Sequence, residues 1–362
     1  MNNRQEAWHS ALEAAQIAAL GIAPATVPQT WPFYRDTTTQ GVPPYLEYLV
    51  RNAACRADFD MLMPGTRSIV CCAVRLTRPQ PQCAMRFAAF CHIGDYHAIV
   101  RERLECVEPV LRSMFPAIQN TRVCVDTAPI LERELSVRAG LGTVGYQRMV
   151  IHPEYGSWIA LGELLVDVDL TPYRAELSYH APCNGEPSNA IPGADCTCAP
   201  ACRLCIAACP CGALSASGYD MHRCLAYWST QHRGDVPEPF ATAMGEVVWG
   251  CDRCQIACPR NARVQMPLAP SPVLAELSFG EILTSSARAL VRRLTGTPIA
   301  DARILQRNAC IVIGNTRDSR YVAELEMVAE THPCDWVQRA AARALAMLGN
   351  RHSTGKAPHT SP

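Results

Sequence analysis

Two cysteine-rich stretches decide how the middle of this chain folds. The first reads Cys198-Ala-Pro-Ala-Cys202-Arg-Leu-Cys205-Ile-Ala-Ala-Cys209-Pro210, and the second reads Cys251-Asp-Arg-Cys254-Gln-Ile-Ala-Cys258-Pro259, with Cys224 between them. Closely spaced cysteines in a turn deliver three thiolates to one compact body, and a proline after the last cysteine directs that thiolate to a neighbouring cluster. These eight cysteines therefore predict a ferredoxin-like module that holds two four-iron four-sulfur clusters.

The spacing also predicts which cysteines share a cluster. One set is Cys198, Cys202, Cys205 and Cys258, and the other is Cys209, Cys224, Cys251 and Cys254. Structural zinc is the alternative, because zinc also uses sets of four cysteines. Zinc sites rarely place Cys-Pro at the end of both runs, so iron–sulfur is the preferred interpretation.

Two cysteines near the first run leave details open. A ferredoxin-type run would have a cysteine at Ala199, whereas this chain offers Cys196 or Cys198. We assign Cys198, which needs only one extra residue in the turn. Cys211 is interpreted as a spare thiol beside the cluster.

The composition of the 362 residues excludes several other kinds of protein. The 33 basic and 33 acidic residues balance, which removes the simplest electrostatic argument for a nucleic-acid or anionic-membrane binder. The only lysine is Lys356, so mechanisms that need a buried lysine are excluded. No leader-like segment or long apolar run is evident, and 20 cysteines in a core-rich chain indicate a reducing, cytoplasmic compartment.

Residues 1–180 are predicted to form a mixed α and β domain. Ser68–Arg75 and Arg122–Asp126 are typical of strands, and 98–115 and 128–139 have helical periodicity. Asp126 ends a predicted strand, and Pro129 is expected to start a helix, a common arrangement for a side chain that faces a pocket. On residue type alone, Asp126 could equally be a helix N-cap.

Proline-rich segments divide the rest of the chain into predicted regions. Residues 180–195 are predicted to be a linker, residues 181–272 include the cluster module, and residues 273–350 are helical, with a tail at 351–362 that we expect to be disordered. The predicted C-terminal helices are 278–295, 301–314, 321–331 and 335–348. Gly314-Asn315 and Gly349-Asn350 are predicted to end two of them, and their 35-residue spacing suggests stacked repeats.

Several motifs in the same order resemble the epoxyqueuosine reductases, which are cobalamin-dependent iron–sulfur enzymes of queuosine synthesis in tRNA. They are Val125-Asp126-Thr127-Ala128-Pro129, Arg138-Ala-Gly-Leu-Gly142, Gly156-Ser-Trp158 and Leu161-Gly-Glu163, together with the cysteine module, and they span about residues 30–350. The resemblance implies an α+β fold with a corrinoid-binding domain, a two-cluster module and C-terminal HEAT-like helical repeats that help to hold tRNA.

The resemblance also implies roles for individual residues. Asp126 would lie over the cobalt and give a proton to the substrate, for which its pKa should be raised by burial. Tyr96 and His97 would line the pocket rather than bind cobalt. The implied cofactor contacts are Tyr96, His97, Arg138, Gly140, Gly142, Gly145, Tyr146, Ser157 and Trp158.

The chain departs from the family pattern at three positions. Tyr146 stands where the family has lysine, Arg260 where it has tryptophan, and Cys211 where it has threonine. These departures leave a second hypothesis open, in which the same cofactors reduce a small epoxide or an organohalide. A third hypothesis is a ferredoxin-like electron carrier without its own substrate, and the Asp126 motif argues against it.

Arginines in the C-terminal helices are candidate tRNA contacts. Arg303 and Arg307 lie four residues apart, as do Arg339 and Arg343, and residues 288–343 contain nine arginines against six acids. A solvated helix face would explain the same residues. No nucleotide-binding glycine fingerprint is evident, so we expect an external ferredoxin or flavodoxin as electron donor, and a monomeric chain.

Overall fold

The computed structural model describes residues 3–180, 198–199, 201–270 and 272–349. The predicted linker beyond His180, the alternative ligand Cys196 and the predicted disordered tail lie outside these ranges. None of the helices within them combines the length and hydropathy that crossing a bilayer requires.

Nine strands are present in the described residues. They are β1 Ala19–Pro24, β2 Ser68–Arg75, β3 Arg86–Phe87, β4 Thr121–Cys124, β5 Thr143–Val144, β6 Val150–Ile151, β7 Ile159–Val166, β8 Tyr179–His180 and β9 Val247–Trp249.

A five-stranded antiparallel sheet is the centre of the first domain, in the order β4-β7-β2-β1-β8. The inner strands β1 and β2 are buried on both faces, which explains why β2 is apolar without alternation. Alternate residues of β2 enter two different cores: Val70 belongs to one and Cys71 to the other. The site described below lies on the Cys71 face.

The described residues also contain fifteen α-helices. They are α1 Asn3–Ala14, α2 Trp31–Thr39, α3 Tyr48–Arg51, α4 Tyr96–Met114, α5 Glu132–Arg138, α6 Arg174–Leu177, α7 Leu204–Ala207, α8 Leu225–Thr230, α9 Glu238–Met244, α10 Arg253–Ile256, α11 Phe279–Thr284, α12 Ala287–Arg293, α13 Ala302–Thr316, α14 Val322–Thr331 and α15 Asp335–Gly349.

The helices divide between the two faces of the sheet and the C-terminal region. Side chains of α1 and α4 fill the Val70 face, and side chains of α5 fill the Cys71 face. Helices α11 to α15 form a separate core whose centre is α13, which is buried along nearly its whole length. Short parallel strands β3 and β9 pair the first domain with the cluster module.

Several predicted boundaries are wrong, each for a local reason. Helix α5 begins at Glu132 rather than at Pro129, because residues 126–130 form turns, and the predicted helix 278–295 is two helices, α11 and α12. Gly314-Asn315 does not end α13, which continues to Thr316 and stops at the left-handed Arg317 (φ 53°).

Gly314 and Asn315 serve packing between helices instead. A Cβ at Gly314 would lie 3.1 Å from the Ala344 Cα, so the glycine allows α15 to approach α13 closely. The Asn315 side chain donates to the backbone oxygens of Ala241 and Gly245 in the cluster module.

Candidate active site and cluster module

Asp126 lies in a strained turn just after β4. Its φ is 44°, in the left-handed region that is unusual for a residue other than glycine, and the Thr127 amide donates to the Val125 carbonyl across it. The Asp126 amide donates to Glu132 Oε1 at 2.6 Å. This contact fixes the turn against the start of α5, so Asp126 is not the N-cap of a following helix. The Asp126 side chain is 54 % exposed and therefore accessible to a substrate.

His97 bridges two carboxylates at the start of α4. Its Nδ1 lies 2.8 Å from Asp95 Oδ1, and its Nε2 lies 3.1 Å from Asp126 Oδ2. These hydrogen bonds, first that to Asp126, raise the pKa of His97 against the effect of its burial. His97 therefore holds a proton between Asp95 and Asp126. The Tyr96 ring stacks on the imidazole with the ring centres 4.0 Å apart, and the Tyr96 side chain also forms a hydrogen bond with Asp126.

In the structure, the pKa of Asp126 is not raised. Desolvation raises this pKa, but hydrogen bonds from His97 and Tyr96 and the charges of His97 and Arg133 outweigh it and leave it below its ordinary value. The proton of the His97–Asp126 pair is therefore on the imidazole.

Two carboxyl groups behind Asp126, those of the half-buried Glu132 and the fully buried Glu163, were missed as site residues. Burial raises the pKa of Glu132 to about 7, and Asp126 adds to the rise. Burial also raises the pKa of Glu163 well above its usual range; this side chain is fully buried, and neither of its oxygens has a hydrogen-bond partner. The sequence could have indicated Glu163, because it is an acidic residue inside the otherwise apolar strand β7.

Two of the three glycines predicted as cofactor contacts, Gly142 and Gly145, lie close to other parts of the chain. A Cβ at Gly142 would lie 2.2 Å from the Ile151 carbonyl oxygen, so this glycine allows β5 and β6 to pair closely. Gly140 follows α5 in a left-handed conformation (φ 89°), and Gly145 lies against Gln147 and Ile151.

Arg138 and Tyr146 both have partners in the structure. Arg138 donates to the Thr26 carbonyl at 2.9 Å and lies 3.8 Å from Glu134, so it connects α5 to the loop after β1. The guanidinium of Arg203, from the cluster module, lies 4.4 Å from the centre of the Tyr146 ring. A positive charge is thus present beside the position where the family has lysine.

The loop between β5 and β6 contains buried polar atoms without partners. They are both amide atoms of Gln147 and the Nε and Nη2 atoms of Arg148. The Arg148 carbonyl accepts from Arg133, the neighbour of Glu132, which places this loop beside the Asp126 turn. Buried polar groups of this kind are ordinarily satisfied by a ligand or by water.

Ser157 and Trp158, predicted as cofactor contacts, are buried in the structure. The Ser157 amide donates to Asn261 Oδ1 at 2.8 Å, and the Ser157 hydroxyl donates to Gln255 Oε1 at 2.9 Å. A Cβ at Gly156 would lie 2.1 Å from Asn261 Oδ1. The Gly156-Ser157 motif therefore docks the cluster module onto the first domain, and Trp158 packs in the Val70-face core.

The structure brings the predicted cysteine ligands together in the two predicted sets. The Cys205 thiol interacts electrostatically with Cys198, Cys202 and Cys258. The Cys254 thiol interacts in the same way with Cys209, Cys224 and Cys251. Within the described ranges, no three or more histidine, cysteine or acidic side chains converge as ligands of a single metal ion. A four-iron cluster is a larger body than one ion, so its thiolate ligands need not converge as closely as the ligands of a single ion.

The predicted arginine rows of the C-terminal helices are wrong as free phosphate-binding groups. Arg307 is fully buried, and its guanidinium donates to the backbone of the cluster module. Arg303 and Arg339 are exposed and Arg343 is half-buried, but each is paired with acids: Arg303 with Asp301, Arg339 with Asp235 and Asp335, and Arg343 with Glu238.

Family models match two parts of the chain. Residues 56–127 match "Epoxyqueuosine reductase QueG, DUF1730", and residues 197–261 match "4Fe-4S double cluster binding domain". The second match supports iron–sulfur clusters over zinc.

Similar proteins and structures carry the same family name. The epoxyqueuosine reductase of Bacillus cereus is 29% identical over 309 residues, covering 81% of this chain and 76% of the relative, and that of Escherichia coli K12 is 28% identical over 308 residues, covering 80% and 75%. An epoxyqueuosine reductase structure with an epoxyqueuosine-modified tRNA stem loop superposes with a TM-score of 0.78 at 23% identity, covering 95% of this chain and 90% of that one. The Streptococcus thermophilus epoxyqueuosine reductase structure gives 0.78 at 22% identity, covering 98% and 92%. The resemblance found in the sequence motifs is confirmed: this chain is a relative of the epoxyqueuosine reductases.

Proposed function

We propose that this chain reduces epoxyqueuosine to queuosine in tRNA, with two 4Fe-4S clusters and a corrinoid as its cofactors. The observation that carries the proposal is the exposed Asp126 carboxylate, held by His97 and Tyr96 on a domain that docks a two-cluster module. Proton donors and an electron supply are the two requirements of a reductive removal of oxygen.

The docking of the module supports electron delivery to the first domain. Cys258 and Cys198 pack against Ile151 of β6, so one set of cysteines lies directly against the β5–β6 hairpin. The loop of the same hairpin, with Gln147 and Arg148, lies beside the Asp126 turn. Electrons from a cluster at these cysteines would therefore enter the domain close to the proposed reaction site.

The residues around Asp126 fit a corrinoid. The edge of a corrin carries amide side chains that both donate and accept hydrogen bonds, and the unpartnered amide of Gln147 and guanidinium atoms of Arg148 match that chemistry. When bound, the corrinoid would supply low-potential electrons to the substrate. Gln147 and Arg148 would hold its edge, while Tyr96 and His97 would line the pocket on the Asp126 side.

The chain's own groups would supply protons to the epoxide. Breaking both C–O bonds and forming the C=C bond consumes two electrons and two protons, and the oxygen leaves as water. The proton on His97 can pass along its hydrogen bond to Asp126 Oδ2, which is exposed to the substrate. Asp126 would thus act as the donor that touches the epoxide oxygen, with His97 behind it.

The finer parts of the assignment follow from the same proposal. We infer that residues 1–180 are the corrinoid domain, that the stacked helices α11 to α15 are HEAT-like repeats, and that the chain acts as a cytoplasmic monomer reduced by an external ferredoxin or flavodoxin. The tRNA would be held by surfaces other than the Arg303 and Arg339 rows, because those arginines are paired with acids. The same pairing favours the alternative that the substrate is a small epoxide or an organohalide.

Complementation of a strain that lacks the tRNA reductase tests the function, scored by queuosine in tRNA. We expect the wild-type chain to restore queuosine and Asp126→Asn to fail. The anaerobically purified Asp126→Asn protein should keep about eight irons and about one corrinoid per chain. An active Asp126→Asn variant would refute the role of Asp126. Failure of a fully loaded wild-type protein would favour the small-molecule substrate, and absence of corrinoid would favour an electron carrier.

A further inference from the structure

The carboxyl groups of the half-buried Glu132 and the fully buried Glu163 have no part in the function as described so far. Cross-strand pairing places Cys71, Glu163 and Cys124 side by side on β2, β7 and β4. Residues paired in this way point to the same face of a sheet, and the Cys71 face is the one covered by α5. Glu163 is therefore enclosed beneath the helix whose first residue is Glu132.

Glu132 is in direct contact with the reaction turn. Its Oε1 accepts the Asp126 amide at 2.6 Å, which leaves Oε2 as the oxygen that can carry a proton. Glu163 has two fully buried oxygens without hydrogen-bond partners, and an ionised carboxylate in that position would be strongly disfavoured. The Glu163 carboxyl is therefore a neutral acid, and its neutrality lets Glu132 lie nearby without a second repelling charge.

The reduction needs two protons for each oxygen removed, whereas the His97–Asp126 pair holds one. We propose that Glu132, at the start of the helix that covers the neutral acid Glu163, stores the second proton and returns it to Asp126 after Asp126 has given up the first. In balance, two electrons from the cofactors and two protons, one from His97 through Asp126 and one from Glu132, convert the epoxide oxygen to water. This inference rests on the proposed function.

The surroundings of Glu132 agree with this role. Burial and the charge of Asp126 raise its pKa to about 7, while the Asp126 amide, Arg133 and His97 oppose the rise. Glu132 is therefore largely protonated below about pH 7 and loses its proton above it. The titratable groups that interact with it are Asp126, Arg133, His97, Tyr96, Glu163, Cys71, Cys72 and Cys124.

The test is the pH dependence of turnover by the anaerobically loaded holoenzyme, on tRNA that contains epoxyqueuosine, from about pH 5 to about pH 9. We expect wild-type kcat to fall as pH rises through about 7. Glu132→Gln keeps the acceptor for the Asp126 amide but cannot carry a proton. It should lower kcat by about 10²-fold at low pH, with little change in KM, and remove the part of the fall near pH 7 that Glu132 causes, leaving the fall that accompanies deprotonation of His97. Glu132→Asp should restore the fall of kcat with rising pH. Glu105→Gln, on the exposed face of α4, should behave like wild type.

A second readout does not depend on turnover. The infrared spectrum of the wild-type protein near neutral pH should contain protonated-carboxyl bands that shift in D2O, and Glu163→Gln should lose one of them. If wild type turns over and Glu132→Gln keeps the wild-type pH profile, the inference is overturned while the proposed function stands. If wild type does not turn over, the proposed function fails, and absence of these bands in its spectrum would overturn the inference independently.

Discussion

Replacing Arg307 by methionine should destabilise the joint between the C-terminal helices and the cluster module. The Arg307 guanidinium is fully buried and donates to the backbone oxygens of Trp228 at 2.7 Å, His232 at 2.7 Å and Gly234 at 2.9 Å. It also donates to Asn308 Oδ1, and Asn308 in turn donates to the Ser229 and Val248 oxygens. One cationic side chain therefore satisfies three carbonyls of the loop around α8.

The expected loss of stability follows from the hydrogen bonds that are lost and the desolvation of the guanidinium that is relieved. Hydrogen bonds from a charged donor contribute about 1.5–3 kcal/mol each, and the three carbonyls would remain buried without partners. Relief of the desolvation of the guanidinium offsets part of this loss, because burial is costly enough to lower the pKa of Arg307 to about 10. The net cost should be about 3–5 kcal/mol, comparable with removing one partner of a buried charged network. In a domain of ordinary size, this corresponds to a fall in Tm on the order of 10 °C.

The assay is thermal unfolding of the anaerobically purified, cluster-loaded protein, followed by circular dichroism and by cluster absorbance. Arg303→Met, one turn earlier on the same helix, is the matched control. Its side chain is 47 % exposed and paired with Asp301, so the control should lose at most about 1 kcal/mol. The reasoning is refuted if both variants unfold at the same temperature. It is also refuted if Arg307→Met keeps wild-type stability but loses affinity for tRNA, because Arg307 would then be a ligand contact.

Two further changes test the docking and the ligand assignment. Gly156→Ala would place a Cβ 2.1 Å from Asn261 Oδ1 at a φ of 54°, and we expect it to slow electron delivery from loaded clusters, measured as the rate of corrinoid reduction. Gly218→Ala, whose Cβ would meet only Ser215 Oγ at 3.8 Å, is its control, and equal rates in the two variants would contradict the docking role. Cys205→Ser should lower anaerobic iron content from about eight to about four per chain, whereas Cys211→Ser should keep about eight. A Cys211→Ser protein with about four irons would reassign that thiol as a ligand.

Features that depend on the local sequence pattern were predicted correctly. Predictions failed where contacts between distant parts of the chain determine the structure. Strand β2 was placed correctly at Ser68–Arg75 because a short, fully apolar run is typical of a strand buried on both faces. The cysteine spacing predicts two sets of four thiols, and the structure brings the members of each set within electrostatic range of one another, while the assignment of the clusters stays a prediction. Gly314-Asn315 was misinterpreted as a helix stop because its contacts, with Ala344 and Ala241, lie about 30 and about 70 residues away in the chain.

The candidate site shows the same difference between what local sequence predicts and what distant contacts determine. Asp126 was identified from its motif, but its lowered pKa depends on His97 and Tyr96, which come from α4, about 30 residues earlier in the chain. Arg307 was expected on a solvated or phosphate-binding face, since helical spacing cannot tell which side of a helix another module covers. Glu163 belongs to the Leu161-Gly-Glu163 motif, yet only the sheet register shows that it lies enclosed between Cys71 and Cys124.

The contact between Arg203 and Tyr146 has a consequence for how the two modules depend on each other. In the family pattern, a lysine in the β5–β6 hairpin would supply its own charge, whatever the position of the cluster module. Here the charge comes from Arg203, whose guanidinium also donates to the backbone carbonyl of Cys202, and it reaches the hairpin only across the interface. Separation of the modules would thus remove the proposed electron supply and the local cation in one event.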